Sequence, residues 1–136
     1  MTAVNLSYVS IFTRDVVSLP TFYVEVFGLE EVMSSASDRY RELDLGAVKL
    51  GFPLVDAYAT LDLQDQADPT GVRAMLTFAV DSAARVDDLA GQAAARGARL
   101  AKAGFSTAFG QYLAVVLDPE GNAIRISAPL SSDYAS

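Results

Sequence analysis

From Val4 to Thr13 the chain alternates, with Tyr8, Ser10 and Phe12 on one side and Val9, Ile11 and Thr13 on the other. Period two over that length predicts a strand. The spacing then changes to helical. Leu19, Phe22, Tyr23, Val26 and Phe27 form one stripe, so a helix is predicted over Val16 to Phe27. Asp15 stands at the N-cap, Pro20 falls in the first turn, and Gly28 stands at the C′ position. Three short strands are predicted next: about Leu29 to Ser34, Arg39 to Leu45 and Val48 to Pro53, with Gly46 turning the last pair. Pro53 to Thr70 is polar, with Pro69 near its end, and reads as a connection between halves.

The second half repeats the order. Val72 to Val80 is a strand, Asp81 or Ser82 caps a helix with a stripe of Val86, Leu89, Ala90, Ala93 and Ala94, and Gly97 ends it. Strands follow near Arg99 to Ala103, Gln111 to Leu117 and Ala123 to Ala128, the last two joined by the tight turn Asp118-Pro119-Glu120-Gly121. The chain therefore reads βαβββ twice, an internal duplication in one α+β domain: module 1–53, connection 54–70, module 71–128 and tail 129–136.

Composition narrows the chemistry. There is no His and no Cys. Imidazole-based triads, thiolate nucleophiles, disulfides and thiolate metal sites are excluded. An acid or base must be Glu, Asp, Tyr or Lys, and a metal would need oxygen ligands. Asp62, Asp65 and Asp68 lie three apart, which is not the alternate-position spacing of a calcium loop, so they read as a solvated connection. A net charge of −7 argues against nucleic acid and suits a cationic ligand. No apolar run approaches the roughly 18 residues a membrane span needs. The first residues lack the basic and apolar regions of a secretion signal, so a cytoplasmic protein is expected, with no membrane partner.

Three motifs stand in a recognisable order: Arg14-Asp15, Phe22-Tyr23 and Phe27-Gly28-Leu29; Phe78-Ala79-Val80-Asp81 before a helix ending at Arg96-Gly97; and Leu117-Asp118-Pro119-Glu120-Gly121-Asn122-Ala123-Ile124. With them the chain resembles the vicinal oxygen chelate superfamily, the glyoxalase/bleomycin-resistance/dioxygenase group. The resemblance implies two βαβββ modules whose mixed sheets curl into a cup, with helices outside, a ligand on the concave face, and a homodimer. It also implies metal ligands early on the first strand and late on the last strand of each half. The matching positions carry Tyr8, Met75, Arg125 and the region Lys49-Leu50-Gly51. Thioether, ammonium and guanidinium groups do not make a site for a divalent ion. No metal and no cofactor is expected.

Period two then assigns the concave face: Tyr8, Ser10 and Phe12; Tyr40, Glu42 and Asp44; Met75 and Thr77; Tyr112 and Ala114; Arg125 and Ser127. Leu43 and Leu45 should face the helices. Phe105 and Phe109 are read as a loop over the cup mouth. Aromatic area with a few polar groups suits a flat organic ligand. Arg125 is a candidate holder of a carboxylate or enolate, and Glu42 a partner for a ligand cation or a general base. Each also has a plainer reading: the aromatics as packing, and Glu42 paired with Arg125, Arg39 or Arg41. Three functions follow. The first is metal-free sequestration of an antibiotic or other aromatic or cationic metabolite. The second is a metal-independent lyase, isomerase or cyclase, with Glu42 or Tyr8 as base and Arg125 as anion holder. The third is a protein–protein module with a filled pocket.

Overall fold

Asp15 sets the start of the first helix. Its carboxylate accepts the N–H groups of Val17 and Ser18, both at 2.9 Å, and its carbonyl accepts from Leu19. These are donors that a helix start otherwise leaves unpaired. The turn so closed takes up Val16 and Val17, so helix α1 spans Ser18–Phe27, two residues shorter than its spacing predicts. Gly28 ends it at φ +66°, a conformation glycine adopts without penalty.

The computed structural model describes residues 4–67 and 71–130. Met1–Ala3, Asp68, Pro69, Thr70 and the tail from Ser131, which enter the reading above, lie outside the described residues. The chain divides into two units, Met1–Thr70 and Gly71–Ser136.

In the first unit, β1 (Tyr8–Ser10), β2 (Glu30–Glu31), β3 (Tyr40–Asp44) and β4 (Lys49–Pro53) form a sheet in the order β1-β4-β3-β2. Strand β1 runs parallel to β4 and the other pairs are antiparallel. The first strand is shorter than its alternation predicts, with a separate bridge from Thr13 to Leu54. The predicted strand Leu29 to Ser34 keeps two residues and passes into a 3₁₀ turn, Met33–Ser35. The polar connection holds a short helix, α2 (Ala57–Thr60), and a 3₁₀ turn, Gln64–Gln66.

In the second unit, β5 (Met75–Ala79), α3 (Ala83–Ala95), β6 (Arg99–Ser106), β7 (Gln111–Leu117) and β8 (Ala123–Pro129) follow. The strand order is β5-β8-β7-β6, with β5 parallel to β8. Ser82 caps α3, its Oγ accepting the Arg85 N–H at 3.1 Å, as the sequence predicts. Strand β6 runs three residues past its predicted end and carries two register shifts, between Leu100 and Lys102 and between Lys102 and Phe105.

Each unit is thus α+β: one open four-stranded mixed sheet with its own helix. Leu19, Phe22, Tyr23 and Val26 of α1 are buried, as are Leu43, Leu50 and Phe52 of the first sheet, and the Tyr23 and Phe52 rings lie 5.4 Å apart. Val86, Leu89, Ala90 and Ala93 of α3 pair in the same way with Ala114, Val116, Ile124 and Ile126. Each fully buried large side chain contributes about 1.5–3 kcal/mol. Because successive strand residues alternate, committing one face to the helix leaves the other for chemistry. Among the described residues no helix is long and apolar enough to cross a membrane.

Candidate functional site

In the first unit the register sets three rows on the face away from α1. Ser10, Gly51 and Glu42 stand side by side; Tyr8, Lys49, Asp44 and Glu30 form the next row; Pro53 and Tyr40 form the third. Tyr8, Ser10, Tyr40 and Glu42 therefore share a face, as alternation predicts. Glu42 is only 5% exposed. A buried carboxylate needs a partner, since its desolvation is costly. The expected partners Arg39 and Arg41 are used elsewhere. Arg39 pairs with Asp56, and Arg41, on the opposite face, pairs with Glu31 at 2.7 Å. Tyr40 serves Glu42 instead. Its ionisation is pushed well above the ordinary tyrosine range, first by burial, then by its hydrogen bond to Glu42, then by the charge of Glu42 and by Tyr8. The phenol keeps its proton at neutral pH and so faces the carboxylate as a neutral donor.

Gly51 makes room for this pair. A Cβ there would stand 2.6 Å from the Tyr40 hydroxyl, so the phenol lies across the glycine. Phe12 continues the aromatic lining, with its ring stacked on Tyr58 of α2 at 4.0 Å and 17°. Sequence reasoning missed Tyr58, whose signal was the short apolar run Ala57-Tyr58-Ala59 in a polar connection. Lys49 lies with its ammonium 5.7 Å from the centre of the Tyr8 ring. Tyr8 and Lys49 also line an open cavity of about 350 Å³, bordered by Asn5, Ser7 and the turn at Gly46. Asp44 is exposed and its carboxylate accepts the Gly46 N–H at 2.8 Å.

In the second unit, Arg125 donates from Nε to Thr77 Oγ1 at 3.1 Å. Its ladder partners are Thr77 and Val115, while Ser127 stands opposite Leu113 and donates to Gln111 Oε1 at 2.8 Å. Three predicted placements are corrected here. Tyr112 and Ala114 lie on the helix side. The Tyr112 hydroxyl donates to Asp87 of α3 at 2.8 Å, and Ala114 is fully buried. Leu113 and Val115 hold the positions assigned to them. Phe105 is not in a loop, because the shifted register carries β6 through it and sets it opposite Leu113 on the Arg125 face. Phe109 does lie in the turn before β7, 67% exposed. Met75, Thr77, Phe105 and Arg125 thus share one face of the second unit, and Tyr112 does not.

The positions where the resemblance implies metal ligands fall two in each unit. They offer a phenol under an ammonium ion in the first, and a half-exposed thioether and a guanidinium bound to a threonine in the second. That donor chemistry does not suit a hard divalent ion. Among the described residues no three His, Cys, Asp or Glu side chains are grouped to hold a metal. Asp62 and Asp65 are exposed.

Comparison with known proteins places this geometry. Residues 8–127 match the family model described as a glyoxalase-like domain. A glyoxalase/bleomycin resistance protein/dioxygenase family enzyme from Burkholderia phytofirmans PsJN is 42% identical, with a TM-score of 0.90 over 93% of this chain and 100% of that one. Two more distant structures share the fold. A lactoylglutathione lyase from Agrobacterium tumefaciens is 20% identical, with a TM-score of 0.69 over 93% of this chain and 95% of its own. TioX from Micromonospora sp. ML1 is 18% identical, with a TM-score of 0.64 over 93% of this chain and 99% of its own. A search of the curated proteins finds no match.

Proposed function

Because the chain belongs to the glyoxalase-like domain family, we propose that it keeps this fold to bind a small organic ligand without a metal, on the open face of its first unit. The carrying observation is Glu42: a buried carboxylate on the sheet face away from α1, beside the Tyr40 phenol rather than neutralised by a cation. Such a group favours a protonated amine or another strong donor. Tyr8, Tyr40 and the Phe12–Tyr58 stack supply flat apolar area around it, and the charge of −7 draws cations toward it. The ligand class is an aromatic, cationic metabolite such as an antibiotic, sequestered by a cytoplasmic homodimer. Calorimetric titration with aromatic amines and a panel of antibiotics tests this. Benzylamine is expected to bind, and Glu42→Gln to weaken it at least tenfold. Absence of any sub-millimolar binder refutes the reading.

The same pair supports one other reading, a metal-independent lyase, isomerase or cyclase. Glu42 would take a proton from a carbon acid while Tyr40, which holds its own proton tightly, steadies the carboxylate. In that case Glu42→Gln lowers turnover far more than affinity.

A further inference from the structure

Lys49 stands out among the cations of the first unit. Asp44 lies directly across from it on the β3–β4 ladder. Even so, Lys49 forms no ion pair among the described residues, its recorded contact being the Tyr8 ring. The Asp44 carboxylate is engaged by the Gly46 N–H instead. The half-buried lysine stands at the open 350 Å³ cavity, whose lining also includes Ser7 and Asn5. That volume falls within the range of small-molecule sites. Asn5 and Ser7 are side chains that can donate hydrogen bonds, and with one positive charge they are residue types suited to an oxyanion.

We infer that this cavity takes the carboxylate of a zwitterionic ligand whose amine sits on Glu42, an inference that rests on the reading of Glu42 above. Register supports the pairing. Glu42 is opposite Gly51, and Lys49 comes two residues earlier on the same strand. The two charges are therefore on diagonal neighbours of one face, residues roughly 7–8 Å apart and somewhat closer at their β-carbons. Gly51 between them has no side chain, and the Tyr40 phenol lies over it. The neighbouring charges also select the kind of anion. Asp44 and Glu30 continue the Lys49 row. Those two carboxylates repel a dianionic phosphate ester about twice as strongly as a monoanion.

The test uses the full chain and four probes in NMR or calorimetric titrations: 4-(aminomethyl)benzoate, phenylacetate, benzylamine and phenyl phosphate. Lys49→Met is expected to weaken 4-(aminomethyl)benzoate and phenylacetate at least tenfold and to leave benzylamine within twofold. Lys49→Arg should restore most of the loss. Lys49→Gln replaces the Met variant if melting shows that one misfolded. Phenyl phosphate should bind more weakly than phenylacetate. If Lys49→Met binds 4-(aminomethyl)benzoate like the parent while Glu42→Gln still weakens benzylamine, the carboxylate site is refuted and the Glu42 reading stands. Benzylamine binding indifferent to Glu42→Gln overturns the Glu42 reading, and the zwitterion site with it.

Discussion

Replacing Gly51 by alanine tests the floor of the first unit's face. Gly51 does not use a positive φ, so alanine carries no backbone strain there. In open space the change would stabilise by about 0.5–1 kcal/mol, because glycine loses more freedom on folding. The new Cβ would instead stand 2.6 Å from the Tyr40 hydroxyl and 3.3 Å from two ring carbons. Overpacking of this kind costs about 1–3 kcal/mol. The net is a loss of about 1–2 kcal/mol, or a fall of roughly 3–8 °C in melting temperature for a chain this long. Gly91 is the control. It lies inside α3 with nothing within 4 Å of a Cβ, so Gly91→Ala should stabilise by about 0.5–1 kcal/mol. The double variant Gly51→Ala, Tyr40→Phe removes the closest clashing atom and should recover most of the loss, a coupling read from a double-mutant cycle. Calorimetric melts and denaturant titrations measure all five proteins, the single variant Tyr40→Phe included. If Gly51→Ala is as stable as the parent, or Tyr40→Phe recovers nothing, the placement of Tyr40 across Gly51 is wrong.

Other expectations follow from the caps and turns. Asp15 has its carboxyl held below the ordinary 3.8 by the N–H of Ser18 and then of Val17. A depressed folded-state value means its stabilisation is present above about pH 3.8 and lost as pH falls through that lower value, so the melting difference between parent and Asp15→Asn should vanish in acid. Tyr112 has its ionisation raised above the ordinary 10, first by its hydrogen bond to Asp87. That contribution is intact below pH 10 and lost as pH rises through the folded value, so Tyr112→Phe should narrow its stability gap only in strong alkali. Asp118 is buried and accepts from the N–H of Glu120, the N–H of Asn122 and the Asn122 amide. Asp118→Ala should cost about 1.5–3 kcal/mol in a denaturant titration.

Helices were the most legible part of the chain because their ends are marked by side-chain chemistry. Asp15, Ser82, Gly28 and Gly97 act where their residue types say they should. Strand faces were legible only where polarity alternates. Glu42 to Leu45 does alternate, and Glu42 and Leu43 fell on the sides assigned to them. Tyr112 to Leu117 is apolar throughout, so period two has no phase to read, and Tyr112 was set on the wrong side. Phe105 escaped for another reason, since the register shifts in β6 break the count that alternation depends on. The Phe12–Tyr58 stack joins the segment after β1 to a short helix in the connection, a contact that no local pattern encodes.

The irregular course of β6 bears on how the protein behaves when concentrated. At eight residues it is the longest strand, and it forms an outer edge of its sheet. A long edge of unpaired peptide groups is a template for edge-to-edge aggregation. The two register shifts disrupt that edge, and Arg99 and Lys102 place charge along it. The first sheet limits the same hazard by brevity, with edge strands of three and two residues. Straightening β6 by deleting one residue at either shift would lengthen the flat edge, and the product should form thioflavin-positive aggregates at concentrations where the parent stays dispersed.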